Sequence, residues 1–348
     1  MIKAHDFFTT FKLSITKRSY RLRLPTFRRN IILLLPFFSF IILLALSASA
    51  QSSVFSSSGY ASGSAEYLKL PVSAQSAGLC GAVSAWRDNV AGAQYNPAIY
   101  DVLYEGSYYF DGTYSLMTLD RKHLGFSAAG AIGGYLVAGL TFVSAGVDNI
   151  ESRDSLGALN DTFNYAENAI AVSVAGRLIW NISLGATVRY LFEKMQTTGA
   201  NGISADVGAT WQPLDYLCVG TSAQNLGGRL WWSTGHSDPV LATIRAGICG
   251  AFIKKTLRAE LDIVKPLEQP EEIALGLQYT LLDVILFRGG ISIALDAPSM
   301  HSAYQDYALG FGIRYSSFGF DYGLMIPNSE LGLTHRVTVC VELRNPFK

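Results

Sequence analysis

The sequence predicts an all-β fold, a 14-stranded antiparallel transmembrane β-barrel of the outer-membrane type with an N-terminal hatch segment. Three observations carry that reading. Beyond residue 50 no apolar run reaches the roughly 18 residues that a spanning helix needs. The chain instead alternates apolar with polar or small side chains over segments of about ten residues, the pattern of a barrel strand between lipid and lumen. The connections between these segments alternate between short and long, as periplasmic turns and external loops do.

Composition agrees. Only 16% of the 348 residues are charged, while Gly (33), Tyr (18) and Phe (19) are plentiful. An ordinary soluble domain carries about 25% charged residues. This balance argues against a disordered chain, a coiled coil and a basic nucleic-acid binder. The zero net charge hides two unlike parts. Eight of the 27 basic residues stand in residues 1–30 beside one acidic residue, Asp6, which leaves the rest of the chain mildly acidic.

Taken in chain order, residues 1–50 read as a signal peptide. Basic residues up to Arg29 precede the uncharged run 31–46, and Ser47-Ala48-Ser49-Ala50 offers small residues at the exit. The mature chain then begins at Gln51 and is exported to the cell outer membrane. Residues 51–100 form a lead-in and hatch. The Ser/Gly/Ala-rich stretch 51–66 is a flexible leader, and the small-residue stretch 67–98 can pack its backbone closely inside a barrel. Residues 101–348 form the barrel.

Fourteen segments alternate: 103–112, 122–131, 134–146, 164–177, 181–193, 202–212, 215–225, 240–252, 256–265, 272–280, 284–294, 305–315, 318–326 and 334–344. In the last, Val337, Val339, Val341 and Leu343 are expected to face lipid, and Arg336, Thr338, Cys340, Glu342 and Arg344 the lumen. The same rule points Glu105, Asp111, Arg189, Glu193, Asp206, Arg245, Arg258, Glu260, Asp262, Arg288, Arg314 and Asp321 inward. The signs are mixed, which favours a network of ion pairs over a single-sign filter. The long connections are 113–121, 147–163, 194–201, 226–239, 266–271, 295–304 and 327–333. Export allows disulfides. Cys218 and Cys249 fall on consecutive strands as expected neighbours, with a bridge the less favoured outcome.

The hatch resembles the start of the PorV/PorQ family of outer-membrane proteins. The matching elements are Gly78-Leu79-Cys80-Gly81-Ala82, Ala85 before Arg87-Asp88-Asn89, and Tyr95-Asn96-Pro97-Ala98. Gln224-Asn225-Leu226-Gly227, Arg288-Gly289-Gly290, Asp321-Tyr322-Gly323 and Leu331-Gly332-Leu333-Thr334-His335-Arg336 follow in the order of that family. The Asn-Pro-Ala element also looks like the hatch of FadL-like channels. The first resemblance implies a type IX secretion accessory that docks exported protein cargo and meets secretion-system proteins. The second implies a passive channel for a hydrophobic ligand. A continuous apolar pocket behind the hatch would favour the channel; a packed, charged lumen under large external loops would favour docking.

The candidate binding residues are therefore Gly78, Gly81, Asn96, Pro97 and Ala98 in the hatch, and Trp231 and Trp232 in an external loop. The two Trp suit either a partner surface or the aromatic belt of a membrane protein. Nothing points to an enzyme. The five His (5, 123, 236, 301 and 335) have no metal-ligand spacing, and there is no Cys-x-x-Cys, Gly-x-Ser-x-Gly or phosphate loop. His123 beside a strand start is too little for a hydrolase. No cofactor is expected.

Overall fold

A computed structural model describes residues 63–87, 90–103, 106–132, 136–295, 305–327 and 332–343. The expected signal peptide 1–50, Glu105 and Arg344 lie outside the described residues. Fourteen long strands and one short one make up a single sheet. They are β1 (Tyr108–Leu116), β2 (Arg121–Ile132), β3 (Leu136–Arg153), β4 (Leu159–Arg177), β5 (Ile182–Met195), β6 (Thr198–Leu214), β7 (Leu217–Trp232), β8 (Ser237–Pro239), β9 (Thr243–Phe252), β10 (Leu257–Pro266), β11 (Glu272–Leu281), β12 (Ile285–Ala294), β13 (Gln305–Tyr315), β14 (Phe318–Ile326) and β15 (Thr334–Leu343). All long neighbours pair antiparallel. β1 pairs β15 and β6 pairs β7, so the sheet closes, with β8 an edge piece on β7. Closure leaves no long strand with an unpaired ladder, the requirement for a β-structure in lipid. No helix among the described residues is long and apolar enough to cross a membrane.

The alternation sets the register of every strand. In β15, Arg336, Thr338 and Cys340 are buried while Val339 and Leu343 are exposed on the outer face, as expected. In β1, Tyr108, Phe110 and Tyr114 face out, and Asp111, Thr113 and Ser115 are buried. Tyr108 pairs Leu343, so β1 begins and β15 ends at one rim. By the loop rule this is the periplasmic rim.

The structure corrects two expectations. The first strand runs over Tyr108–Leu116 rather than 103–112, because Pro97–Leu103 is a 3-10 helix. Four of the long loops also shrink, 113–121 to 117–120 among them. β3 and β4 extend to 18 and 19 residues, leaving 154–158 between them, and β5 and β6 leave only 196–197. Alternating apolarity locates only the lipid band. A ladder of backbone hydrogen bonds continues past that band through polar residues such as Glu151 and Ser152, after a register shift between Val147 and Ile150. Loop 226–239 is likewise mostly strand. Its bulge uses Asn225 and Gly227, both at positive φ, so Gln224-Asn225-Leu226-Gly227 is a bulge motif.

Residues 63–87 and 90–103 lie inside the barrel. Ser64 bridges Val240 at the external rim, and Tyr67 and Leu68 pack with Leu191, Leu230 and Val240. Further in, Leu79, Val83, Trp86 and Tyr95 pack against Cys218 and Cys249. Near the periplasmic rim Ile99, Tyr100 and Leu103 pack with Tyr109, Val137 and Cys340. Cys218 and Cys249 are directly opposed across β7 and β9, buried, and present as free thiols.

Val339→Arg should destabilise the barrel by about 2–4 kcal/mol near the bilayer midplane. Urea unfolding in lipid vesicles measures this; an unchanged midpoint would contradict the outward assignment.

Candidate functional site

The hatch has little regular structure, so its backbone N–H groups must find partners outside it. The wall supplies them. Asp262 Oδ2 accepts from Val83 N (3.2 Å), Ser84 N (3.1 Å) and Ser84 Oγ (2.6 Å), while Glu260 Oε1 accepts from Ala85 N at 2.6 Å. Thr338 Oγ1 accepts from Ala74 N at 2.8 Å, at the start of a one-turn helix, Ala74–Ala77, capped by Ser73. Arg336 donates to the Pro71 carbonyl. Ser222 Oγ donates to the Tyr95 carbonyl at 2.6 Å and Gln224 Nε2 to that of Gln94 at 2.9 Å. At the periplasmic rim the fully buried Asp101 collects Arg87, Arg177 Nε (2.8 Å) and Ser183 Oγ (2.5 Å).

Wall glycines make these bonds reachable. A Cβ at Gly220 would lie 2.1 Å from the Ser84 carbonyl oxygen, and one at Gly208 would lie 2.1 Å from Asn96 Oδ1. Only glycine lets the hatch backbone rest on the inner sheet surface at such points.

The remaining charge is consumed mostly in pairs. Arg189 meets Asp206 at 2.7 Å, and Asp321 receives Arg288 at 2.7 Å and Arg314 at 2.8 Å. A mixed ion-pair network therefore fills the lumen, as the sequence signs suggested.

On the external side of the hatch a cavity of about 230 Å³ remains. At about 30 Å³ per water molecule it holds on the order of eight waters, room for a small organic molecule. Its floor is hatch, with Pro71, Cys80, Gly81 and Tyr95; its wall includes Gln224, Arg245, Val264, Glu272, Ser292 and Asp306. The Arg245 guanidinium lies 4.5 Å over the Tyr95 ring and donates to Gln224 Oε1 at 3.0 Å. Burial, reinforced by Asp306, pushes the Cys80 thiol up to about 12.

The structure distributes the expected site residues unevenly. Gly81, at φ +74°, lines the cavity. Gly78 sits against Gly310 of β13, away from it. Asn96, Pro97 and Ala98 are buried: Asn96 Nδ2 donates to the carbonyls of Ser84 (2.7 Å) and Ala209 (3.1 Å), and Asn96 Oδ1 accepts from Ala98 N at 3.2 Å. This element anchors the hatch. The two Trp part company. Trp231 is exposed on the outer face, near Tyr190, whose hydroxyl donates to Asn201. Trp232 packs against the external core, and its Nε1 donates to Asp238 at 2.7 Å. Glu272 and Asp306 escaped the list of inward charges because both stand at strand starts, where alternation is short.

No family model and no curated protein sequence matches the chain. Solved structures do. The chain is similar to the CymD monoaromatic hydrocarbon channel at 14% identity and TM-score 0.56, over 78% of this chain and 96% of that one. The fold is the FadL-like barrel. The Pseudomonas putida toluene transporter TodX matches at 12% identity and TM-score 0.56, covering 77% and 96% of the two chains. A Pseudomonas aeruginosa FadL homologue matches at 11% identity and TM-score 0.52, covering 78% and 98%. At these identities the likeness is one of FadL-like architecture.

Asp262→Ala removes three hydrogen bonds to a carboxylate, each worth about 1.5–3 kcal/mol, and should loosen the hatch. In a background with Cys218, Cys249 and Cys340 replaced by Ala, maleimide labelling of Cys80 at pH 8 reports it. The raised thiol is nearly all protonated at that pH while the hatch is seated. On release its pKa falls toward the ordinary range and the thiolate fraction rises. Labelling at least tenfold faster than in the same background with Asp262 is expected; an equal rate would show that Asp262 does not hold the hatch.

Proposed function

We propose that this protein is an outer-membrane channel in which the hatch gates uptake of small molecules from the external side. The observation that carries this reading is the cavity between the external mouth and the hatch floor. It is sized for a small organic molecule and closed below by a segment held through hydrogen bonds rather than covalently. The FadL-like neighbours add support, since CymD is a monoaromatic hydrocarbon channel and TodX a toluene transporter. Passage requires the hatch to shift, because the lumen beneath the cavity is packed. A hydrophobic ligand is the simplest transfer from those neighbours, and Leu68, Leu70, Val264 and Met325 give the cavity apolar surface.

A second reading is protein docking, as in a type IX secretion accessory. The packed, charged lumen favours it, and so do strands β3–β7, whose 14 to 19 residues exceed the roughly 9–11 that cross a bilayer. No family model connects the chain to PorV/PorQ proteins. The short turns 154–158 and 196–197 offer less loop than the sequence suggested.

A tether distinguishes the two. Ala74 N and Thr338 Oγ1 are 2.8 Å apart, so A74C/T338C places a thiol on the hatch beside one on the wall. In liposome swelling with small organic solutes, the oxidised variant should lose at least tenfold in influx and regain it on reduction. Influx indifferent to the tether would contradict gating by the hatch.

A further inference from the structure

The cavity carries charges of both signs held apart by the fold. Register places Arg245 opposite Val264 and Val264 opposite Glu272, so the three share one row across β9, β10 and β11 of the inner wall. Neighbouring strands are about 4.8 Å apart, which separates the Arg245 and Glu272 backbones by about 10 Å. Both side chains are long enough to approach one another, yet no ion pair joins them among the described residues. Arg245 is drawn instead toward the hatch, over the Tyr95 ring and onto Gln224 Oε1 and the Gly81 carbonyl. Lys69, the other cation near Glu272, is engaged by Glu66 and Gln269. Glu272 is half-buried at the cavity wall with Asp306 on the same side, two strands away. The cavity therefore has a cationic flank at Arg245 and an anionic flank at Glu272 and Asp306. Val264 lies between Arg245 and Glu272, and Leu70 and Met325 add apolar surface to the cavity.

A pure hydrocarbon would exclude water from the Glu272 carboxylate and offer it no polar group in return. An anion alone answers the first flank and is repelled by the second. A molecule with an ammonium and a carboxylate a few bonds apart, and an apolar group between or beside them, answers all three surfaces. We infer that the cavity binds a small zwitterion of dipeptide size, its carboxylate toward Arg245 and its ammonium toward Glu272 and Asp306. This inference rests on the channel reading for its physiological sense, and on the cavity alone for its chemistry.

The test is calorimetric titration of the purified full chain in detergent with alanyl-leucine, N-acetyl-alanyl-leucine, alanyl-leucine amide and toluene. Alanyl-leucine should bind at least tenfold more tightly than either capped peptide and more tightly than toluene. Glu272→Gln, a near-isosteric change at the rim of a strand, should weaken alanyl-leucine at least tenfold. It should leave N-acetyl-alanyl-leucine, which has no ammonium, within twofold. Capped peptides or toluene binding as well as alanyl-leucine, no binding of alanyl-leucine, or an equal loss for both peptides in the variant would overturn the inference. Its failure is separable from that of the channel. Tether-dependent swelling without zwitterion preference leaves gating intact. Zwitterion binding without tether-dependent swelling leaves the binding site intact and removes the channel.

Discussion

Residues 63–87 and 90–103 cross the lumen with only short helical turns, so most of their amides and carbonyls cannot bond one another. A buried backbone group left without a partner costs as much as a lost hydrogen bond. The wall therefore has to present a polar group wherever the hatch presents one, at the right height on the right strand. Asp262, Glu260, Ser222, Gln224 and Thr338 do this, and each projects inward because strand alternation puts it there. The glycines at 208 and 220 answer the steric half of the same demand. The barrel's inner surface is in this sense a mould of the hatch, in its polar groups and in its glycines.

That requirement also decides where space is left. Below the cavity, carboxylates and guanidiniums are consumed by the hatch or by one another, as at Asp101 and Asp321. Above it, the hatch chain from Glu66 to Pro71 borders the mouth, with Lys69 reaching Gln269 of the turn between β10 and β11, and does not fill it. The residues there, Glu272 among them, face the cavity. A gate seated through hydrogen bonds can move without breaking the barrel, because the ladders that close the sheet are independent of it.

Much of the fold was legible in the sequence, for a specific reason. Apolar alternation is forced on any strand that faces lipid, so all fourteen spanning segments were recognisable, and Val339 and Arg336 took their expected faces. Where lipid does not act, the signal fades. The extensions of β3 and β4 carry Asp148, Glu151 and Arg153 and read as loop, although their ladders continue. The start of β1 was misplaced because Leu103 continues an apolar pattern while Asp101 fixes that stretch as a 3-10 helix. The candidate site was less legible. Asn96-Pro97-Ala98 stood out as a motif and proved to be an anchor. Arg245 was recognisable as an inward charge, but its distance from Glu272 depends on the register of three strands and on the pull of Tyr95, none of which one strand's pattern contains.

Wall carboxylates hold the hatch backbone inside the barrel. Hydrogen–deuterium exchange in lipid nanodiscs tests it most directly, by comparing the amides of Val83, Ser84 and Ala85 with those of β10. The account predicts that the three hatch amides exchange slowly, approaching the protection of the strand that carries Asp262 and Glu260. Exchange of these amides at the rate of an unstructured chain, with β10 still protected, would contradict it.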